Sequence, residues 1–216
     1  MKDLAIFCAG GFGREVACLV NKINEVKPTW NLIGFFDDTP AYKGTMISHY
    51  APCLGGIDVL NEYPRELAVA TCIGSTGALR AIRNKITNPN VYFPNIIAPN
   101  CQFFDKDTFS IGEGNIITFG CRMSCNIKIG NFNILNGCIS FGHDACIGDY
   151  NIMFPETRVS GQTVIGDGNF FAARCFVAQH LNIGNGNRFG AGTFVLRKIK
   201  DGGVYMGNPA KKVDIG

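Results

Sequence analysis

Every sixth residue from Ile111 to Val195 is apolar. The series runs Ile111, Ile117, Met123, Ile129, Leu135, Phe141, Ile147, Met153, Val159, Ile165, Phe171, Val177, Ile183, Phe189 and Val195. Hydrophobic residues make up 46% of the chain, so fifteen such matches in one given phase arise by chance about once in 10⁵. Neither the 3.6-residue period of a helix nor the two-residue period of a strand sustains this pattern. A slower beat lies over it. The segments IGEGN, IGNFN, IGDYN, IGDGN and IGNGN begin at 111, 129, 147, 165 and 183, always 18 residues apart. Three hexads therefore close one turn of a coil, and equivalent residues stack from coil to coil.

That arithmetic predicts a triangular parallel β-helix. Short strands form three flat faces, with Gly and Asn supplying the tight corners. The first residue of each hexad points inward. Small residues at the fifth position (Cys121, Ala145, Thr157, Thr163, Cys175, Thr193) fill the corners. Coils lie about 4.8 Å apart, as strands in any sheet do. The register is expected to reach back to Phe93, with no hexad interrupted between 111 and 200.

The first 90 residues carry no hexads. LAIFCAGGFGREVACLVNKI reads as a strand, a glycine turn and a helix; NLIGFFDD and ELAVATCIG read as further strands, and TGALRAIRNKI as a second helix. This alternation predicts a small Rossmann-like α/β sheet, with fewer strands than the six of a full dinucleotide fold. The turn CAGGFG comes close to G-x-G-x-x-G, with Cys8 in the first glycine's place and Gly10 and Gly13 retained. Asp37 and Asp38 follow the second strand, where a ribose-binding carboxylate would sit. A single nucleotide, a nicotinamide dinucleotide and a purely structural glycine turn all remain open on this motif; the helix start at Gly13–Arg14 would suit a diphosphate.

Composition excludes several classes. The net charge is +3, with no clustered run of Lys and Arg, so nucleic acid is not an expected partner. No apolar stretch approaches a membrane span. Ten scattered cysteines form no CxxC, which predicts free buried thiols in a reducing cytoplasm and no zinc or dithiol site.

His143 is one of only three histidines, with His49 and His180. It is third in its hexad, beside Asp144, and should face outward at a corner. His180 stands 37 residues further on, out of register, so three histidines cannot converge on a zinc ion here. A single outward imidazole can instead accept a proton from an amine or hydroxyl attacking a thioester. Asp144 can orient it only if the corner turns the two neighbouring side chains together. One coil on, Gly161 offers an open backbone N–H to a developing oxyanion. His143, Asp144 and Gly161 are the candidate catalytic group.

The segments AGGFGREV, IGFFDD, IIAPNC, GHDACIGDY, VSGQTVIGDG and YMGNPAKKV together resemble a family of bacterial sugar acyltransferases. These have a nucleotide-binding α/β domain followed by a left-handed hexapeptide β-helix, and the resemblance covers nearly the whole chain. The resemblance implies the left-handed wind, a homotrimer, and acetyl-CoA as co-substrate without a metal. It implies that His143 is the general base supported by Asp144, and that Gly161 binds the thioester carbonyl. It further implies coenzyme contacts at Gly161, Ala173, Ala191, Gly207, Asn208, Pro209 and Lys211, with Lys212 beside them. Gly10, Gly13, Asp37 and Asp38 would line the nucleotide pocket and Asn136 would meet the sugar. The chain departs from the family at Phe12, often His; at Ala98–Pro99, often an HP pair; and at Ile152, where some members carry a second histidine.

The expected organisation is a nucleotide-sugar-binding domain over 1–90, a β-helix over 91–200 and a tail over 201–216 that covers the coenzyme site. The expected activity is acetyl-CoA-dependent N-acetylation of a nucleotide-linked amino sugar in surface-glycan biosynthesis. O-acetylation of a sialic acid, a non-catalytic hexapeptide-repeat binding protein and a nucleotide-dependent oxidoreductase are the alternatives.

Overall fold

The computed structural model describes residues 1–214. It divides into two compact units, Met1–Pro99 and a second from Asn100 onward.

The first unit is an α/β sheet. β1 (Lys2–Phe7) is followed by α1 (Gly11–Val26), β2 (Trp30–Phe36), β3 (Met46–Ile47), β4 (Ala51–Gly55), α2 (Ile57–Asn61), β5 (Leu67–Thr71), α3 (Thr76–Lys85) and β6 (Val91–Tyr92). The strand order is β3-β4-β2-β1-β5-β6. β1 sits centrally between β2 and β5, parallel to both, and its LAIF run is wholly buried, as befits a strand covered on both faces. α1 turns Val16, Ala17, Leu19 and Val20 inward. The sheet has six strands, more than the motif reading anticipated, because β3 and β6 are two-residue edges. β3 runs antiparallel to β4.

The second unit is a left-handed parallel β-helix. Two-residue strands stack in register at 18-residue intervals: Arg122↔Ser140↔Arg158, Lys128↔Cys146↔Val164 and Ile134↔Ile152↔Phe170 are one example from each face. Of the fifteen apolar hexad residues, all but Ile111 in the first coil are fully buried, so the six-residue pattern is the core.

The corners correct one expectation. The residue that makes each bend is the fourth of the hexad. From Gly114 to Gly192, every sixth residue has φ between 53° and 69°. Only five of these fourteen are glycine; Phe132, Tyr150 and Arg174 are among the others. Each such residue outside glycine costs about 1–2 kcal/mol. Hydrogen bonds to the previous coil, such as Asp144 N–H to Cys125 carbonyl at 3.0 Å, help hold the bends.

The recurring Asn does something else. Asn115, Asn133, Asn151, Asn169 and Asn187 are completely buried. In the first four, Oδ1 accepts the backbone N–H and side-chain amide of the Asn one coil on, as at Asn133→Asn115, 2.8 and 3.0 Å. A second ladder runs the opposite way at the same corner: Asn131 N–H donates to Asp149 Oδ1, Asp149 N–H to Asp167 Oδ1, and Asp167 N–H to Asn185 Oδ1, all at 2.7–2.8 Å. The glycine of each IG pair makes room for it. A Cβ on Gly130 or Gly148 would collide with the next coil's Asp149 or Asp167 carboxylate.

The last coil is two residues short. Ile183 bridges Ile199, and Arg188 pairs with Val204, each 16 residues on. The uninterrupted hexads expected up to 200 therefore end at Val195. The chain then forms a hairpin, Val204–Met206 with Lys211–Lys212 antiparallel. Phe194 N–H bonds to Gly207 and Ala210 N–H to Phe194.

Candidate active site

His143 follows the strand Ser140–Phe141 through Gly142, whose N–H bonds to Val159. Asp144 is the left-handed corner residue, φ 59°. That bend brings the two side chains to one side: His143 Nδ1 lies 2.7 Å from an Asp144 carboxylate oxygen. Both groups are exposed, at 56% and 41%, so a substrate can reach them. The His143 hydrogen bond, and after it one from Asn126, holds the Asp144 carboxyl below the usual carboxylate range. A carboxylate on Nδ1 keeps the proton there and leaves Nε2 as the free lone pair.

Nε2 leans over Gly161. A Cβ built on Gly161 would stand 2.8 Å from Nε2 and 2.9 Å from Cε1, so only glycine admits the ring in this position. The Gly161 N–H has no partner among the described residues, while its carbonyl accepts from His180 N–H at 3.1 Å. Gly142 is needed in the same layer, since a Cβ there would be 2.5 Å from the Gly161 nitrogen. A free imidazole nitrogen and an unpartnered backbone donor thus belong to adjoining coils, the two kinds of group that proton removal and oxyanion stabilisation need. His180 shares the corner column of Asp144, two coils along.

One member of the group was not anticipated. Asn126, one coil before Asp144, donates its amide to the other Asp144 oxygen at 2.9 Å. The 18-residue ladder Asn126, Asp144, Gln162, His180 carries the signal that would have found it. Beside it opens a shallow cleft of about 370 Å³, lined by Asn126, Lys128, Asp144, Ala145 and Cys146.

Asn136 is half-buried and accepts from Thr118 Oγ1 at 3.2 Å; no hydrogen bond joins it to the His143 group among the described residues. Ala173 and Ala191 occupy one corner column, Ala173 half-buried and Ala191 exposed. Gly207, Asn208, Pro209 and Lys211 are exposed on the terminal hairpin. Ile152 is buried.

In the first unit, Gly13 packs α1 against β1: a Cβ there would run into the Cys8 carbonyl. Gly10 precedes the helix with no side-chain cap and no acidic residue in the first turn. Asp37 is already engaged. Its oxygens accept from Ala9 N–H at 2.8 Å and Thr39 N–H at 2.9 Å. Burial pushes its carboxyl up, but these bonds outweigh burial and the net position is below the ordinary range. Asp38 accepts from Ile57 N–H at the start of α2, 2.7 Å. Both aspartates thus brace their own loops.

Residues 3–88 match the family model of the PglD N-terminal domain. The first unit is therefore similar to the PglD N-terminal domain over these residues. No curated protein sequence matches the chain. Among solved structures, the acetyltransferase domain of PglB from Neisseria gonorrhoeae FA1090 superposes with TM-score 0.89 at 23% identity, over 99% of this chain and 100% of that one. PerB from Caulobacter crescentus, solved with CoA and GDP-perosamine, gives 0.84 at 21% identity, over 99% and 98%. WeeI from Acinetobacter baumannii AYE gives 0.79 at 24% identity, over 99% and 100%. At these identities the likeness is one of fold: a short α/β unit followed by a left-handed parallel β-helix.

No three His, Cys, Asp or Glu side chains gather as a metal-binding group among the described residues. No helix among them is long and apolar enough to cross a membrane. All ten cysteines are free.

Proposed function

We propose that the protein transfers an acetyl group from acetyl-CoA to the amine of a nucleotide-linked amino sugar, with His143 as general base. The observation that carries this reading is the arrangement of one imidazole: Nδ1 tied to Asp144 at 2.7 Å, and Nε2 packed against Gly161, where a Cβ would stand 2.8 Å away. The neutral amine attacks the thioester carbonyl and forms the C–N bond. Nε2 takes the ammonium proton as it develops. The Gly161 N–H receives the oxyanion, and Asp144 stabilises the imidazolium. Collapse breaks the C–S bond, and the imidazolium returns the proton to the departing CoA thiolate. No covalent enzyme intermediate is needed, because binding both substrates side by side supplies the proximity.

The similar folds lend support. The PglB domain was also solved with acetyl coenzyme A, and PerB with CoA and GDP-perosamine. In this reading the start of α1 at Gly10 and Gly13 receives the sugar nucleotide's diphosphate. Asp37 and Asp38 shape the pocket through the loops they brace, and Asn136 meets the sugar. Ala173, Ala191 and the hairpin residues Gly207, Asn208, Pro209 and Lys211 line the coenzyme path, with the tail from 201 as its cover. A prism corner is half a cleft, so a closed homotrimer supplies the other wall. Ten free thiols suit the reducing cytoplasm.

The test is thiol release from acetyl-CoA with UDP-, dTDP- and GDP-linked amino sugars, with sialic acid in the same panel. Turnover of one amino sugar, reduced about 10²-fold or more in His143→Ala, is the expected result. Turnover of sialic acid alone would replace N- by O-acetylation. Undiminished turnover in the mutant would remove His143 from the mechanism.

A further inference from the structure

We infer that Asn126 is a positioning residue for this site, acting through Asp144 to fix which nitrogen of His143 carries the proton. The inference rests on the reading of His143 as a base, and it concerns a residue with no contact to either reacting group.

Asp144 is an exposed, flexible carboxylate on a corner. Nothing in its own backbone dictates which way its two oxygens turn. Asn126 supplies that. An ionised carboxylate only accepts hydrogen bonds, so the Asn126 amide must face it with its NH₂. The bond to Oδ1, 2.9 Å, occupies one oxygen and turns Oδ2 to His143 Nδ1. Asn126 is itself seated on the coil before: its backbone N–H donates to Thr108 Oγ1 at 2.8 Å, and that hydroxyl donates to Asp105 at 2.9 Å. A chain of hydrogen bonds thus runs from Asp105 through Thr108, Asn126 and Asp144 to the imidazole. Its end point is a neutral ring with Nδ1–H and a free Nε2. The reverse tautomer would put N–H toward Gly161 and leave no base there.

Asn126→Gly isolates the amide. The residue sits at φ 56°, which glycine adopts without strain, so the bend survives and only the side chain is lost. Asn131→Gly is the control. Asn131 makes the same kind of cross-coil bond, Nδ2 to Asp149 Oδ1 at 3.1 Å, at a different corner. The readouts are the tautomer of neutral His143 by ¹⁵N NMR, and kcat and KM for acetyl transfer. In Asn126→Gly the Nε2–H form should become populated. The kcat should fall roughly 3- to 10-fold, a share of what general-base catalysis supplies, with KM for acetyl-CoA unchanged. Asn131→Gly should lower Tm and leave the tautomer as in wild type. A His143 ring that stays wholly Nδ1–H in Asn126→Gly overturns the inference, as does an unchanged kcat. Because the tautomer is read on the resting protein, it decides the matter even if acetyl transfer itself is not observed.

Discussion

Replacing Gly161 with alanine adds one methyl group against the His143 imidazole, the proposed base. The new carbon would lie 2.8 Å from His143 Nε2, 2.9 Å from Cε1 and 3.1 Å from Cδ2. Ordinary contact begins near 3.5 Å, so the ring must move by roughly 0.7 Å or more. The ring is exposed and can swing outward, and the Gly161 backbone lies outside the left-handed region, so alanine is tolerated there. The stability cost should be under about 1 kcal/mol, in the range of a surface change. The catalytic cost should be far larger. An outward swing stretches the 2.7 Å bond to Asp144 and takes Nε2 off its line to the reacting amine. Misplacement on the order of 1 Å costs about 10²-fold. The assay is kcat for thiol release, beside a Tm measured on the same preparation. A Tm within about 3 °C of wild type with kcat down about 30- to 100-fold is expected. Full kcat in Gly161→Ala would refute the argument that the glycine exists to admit the imidazole.

Two further substitutions probe the frame that carries the site. Asn151→Ala removes a buried rung whose Oδ1 serves both Asn169 N–H and Asn169 Nδ2. It leaves both donors unpaired, and denaturant unfolding should lose about 2–5 kcal/mol. Asp37 gives a pH-dependent effect. Its folded carboxyl lies below the ordinary value, so near pH 4 the unfolded chain binds the proton that the folded chain refuses. Its contribution is complete above about pH 4–5, and is lost as pH falls through the lower folded value. Asp37→Asn should therefore be less stable than wild type at pH 7, with the gap closing on acidification; a gap that widens toward pH 3 would contradict the assigned direction.

The β-helix was legible because a repeat averages over its own noise. A single apolar residue says little, but Ile117 through Val195 in one phase left few architectures open. His143 was legible as an outward side chain for the same reason, since its hexad place fixed its direction. What remained hidden depends on backbone angles that residue type does not encode. Phe132, Tyr150 and Arg174 have no preference for the left-handed region, yet stacking puts them there. The contact between His143 and Asp144 follows from that same bend, so adjacency alone could not reveal it. The Asn ladder was visible as a spacing and misread as corner chemistry, because Asn is ordinarily a turn former and here serves as a buried donor and acceptor. In the first unit, Asp37 and Asp38 occupied the positions a ribose would suggest, and their backbone bonds to Ala9, Thr39 and Ile57 became apparent only with the loops in place.

A stack of identical coils has no intrinsic reason to stop, because its last coil presents the same unpaired edge that every earlier coil offered to its successor. The shortened final coil and its hairpin act as a stopper. Asn187 Oδ1 is claimed by Gly203 N–H at 2.8 Å and Asn185 N–H by Asp201 at 2.7 Å, which ends both ladders on the chain's own backbone and side chain. Lys211 and Lys212 then turn antiparallel along the outermost strand, where a parallel coil from another molecule would have to dock in register. Two adjacent lysines on that edge add charge repulsion to the broken geometry. On that face an incoming coil would meet an antiparallel strand and two lysines in place of an open parallel edge.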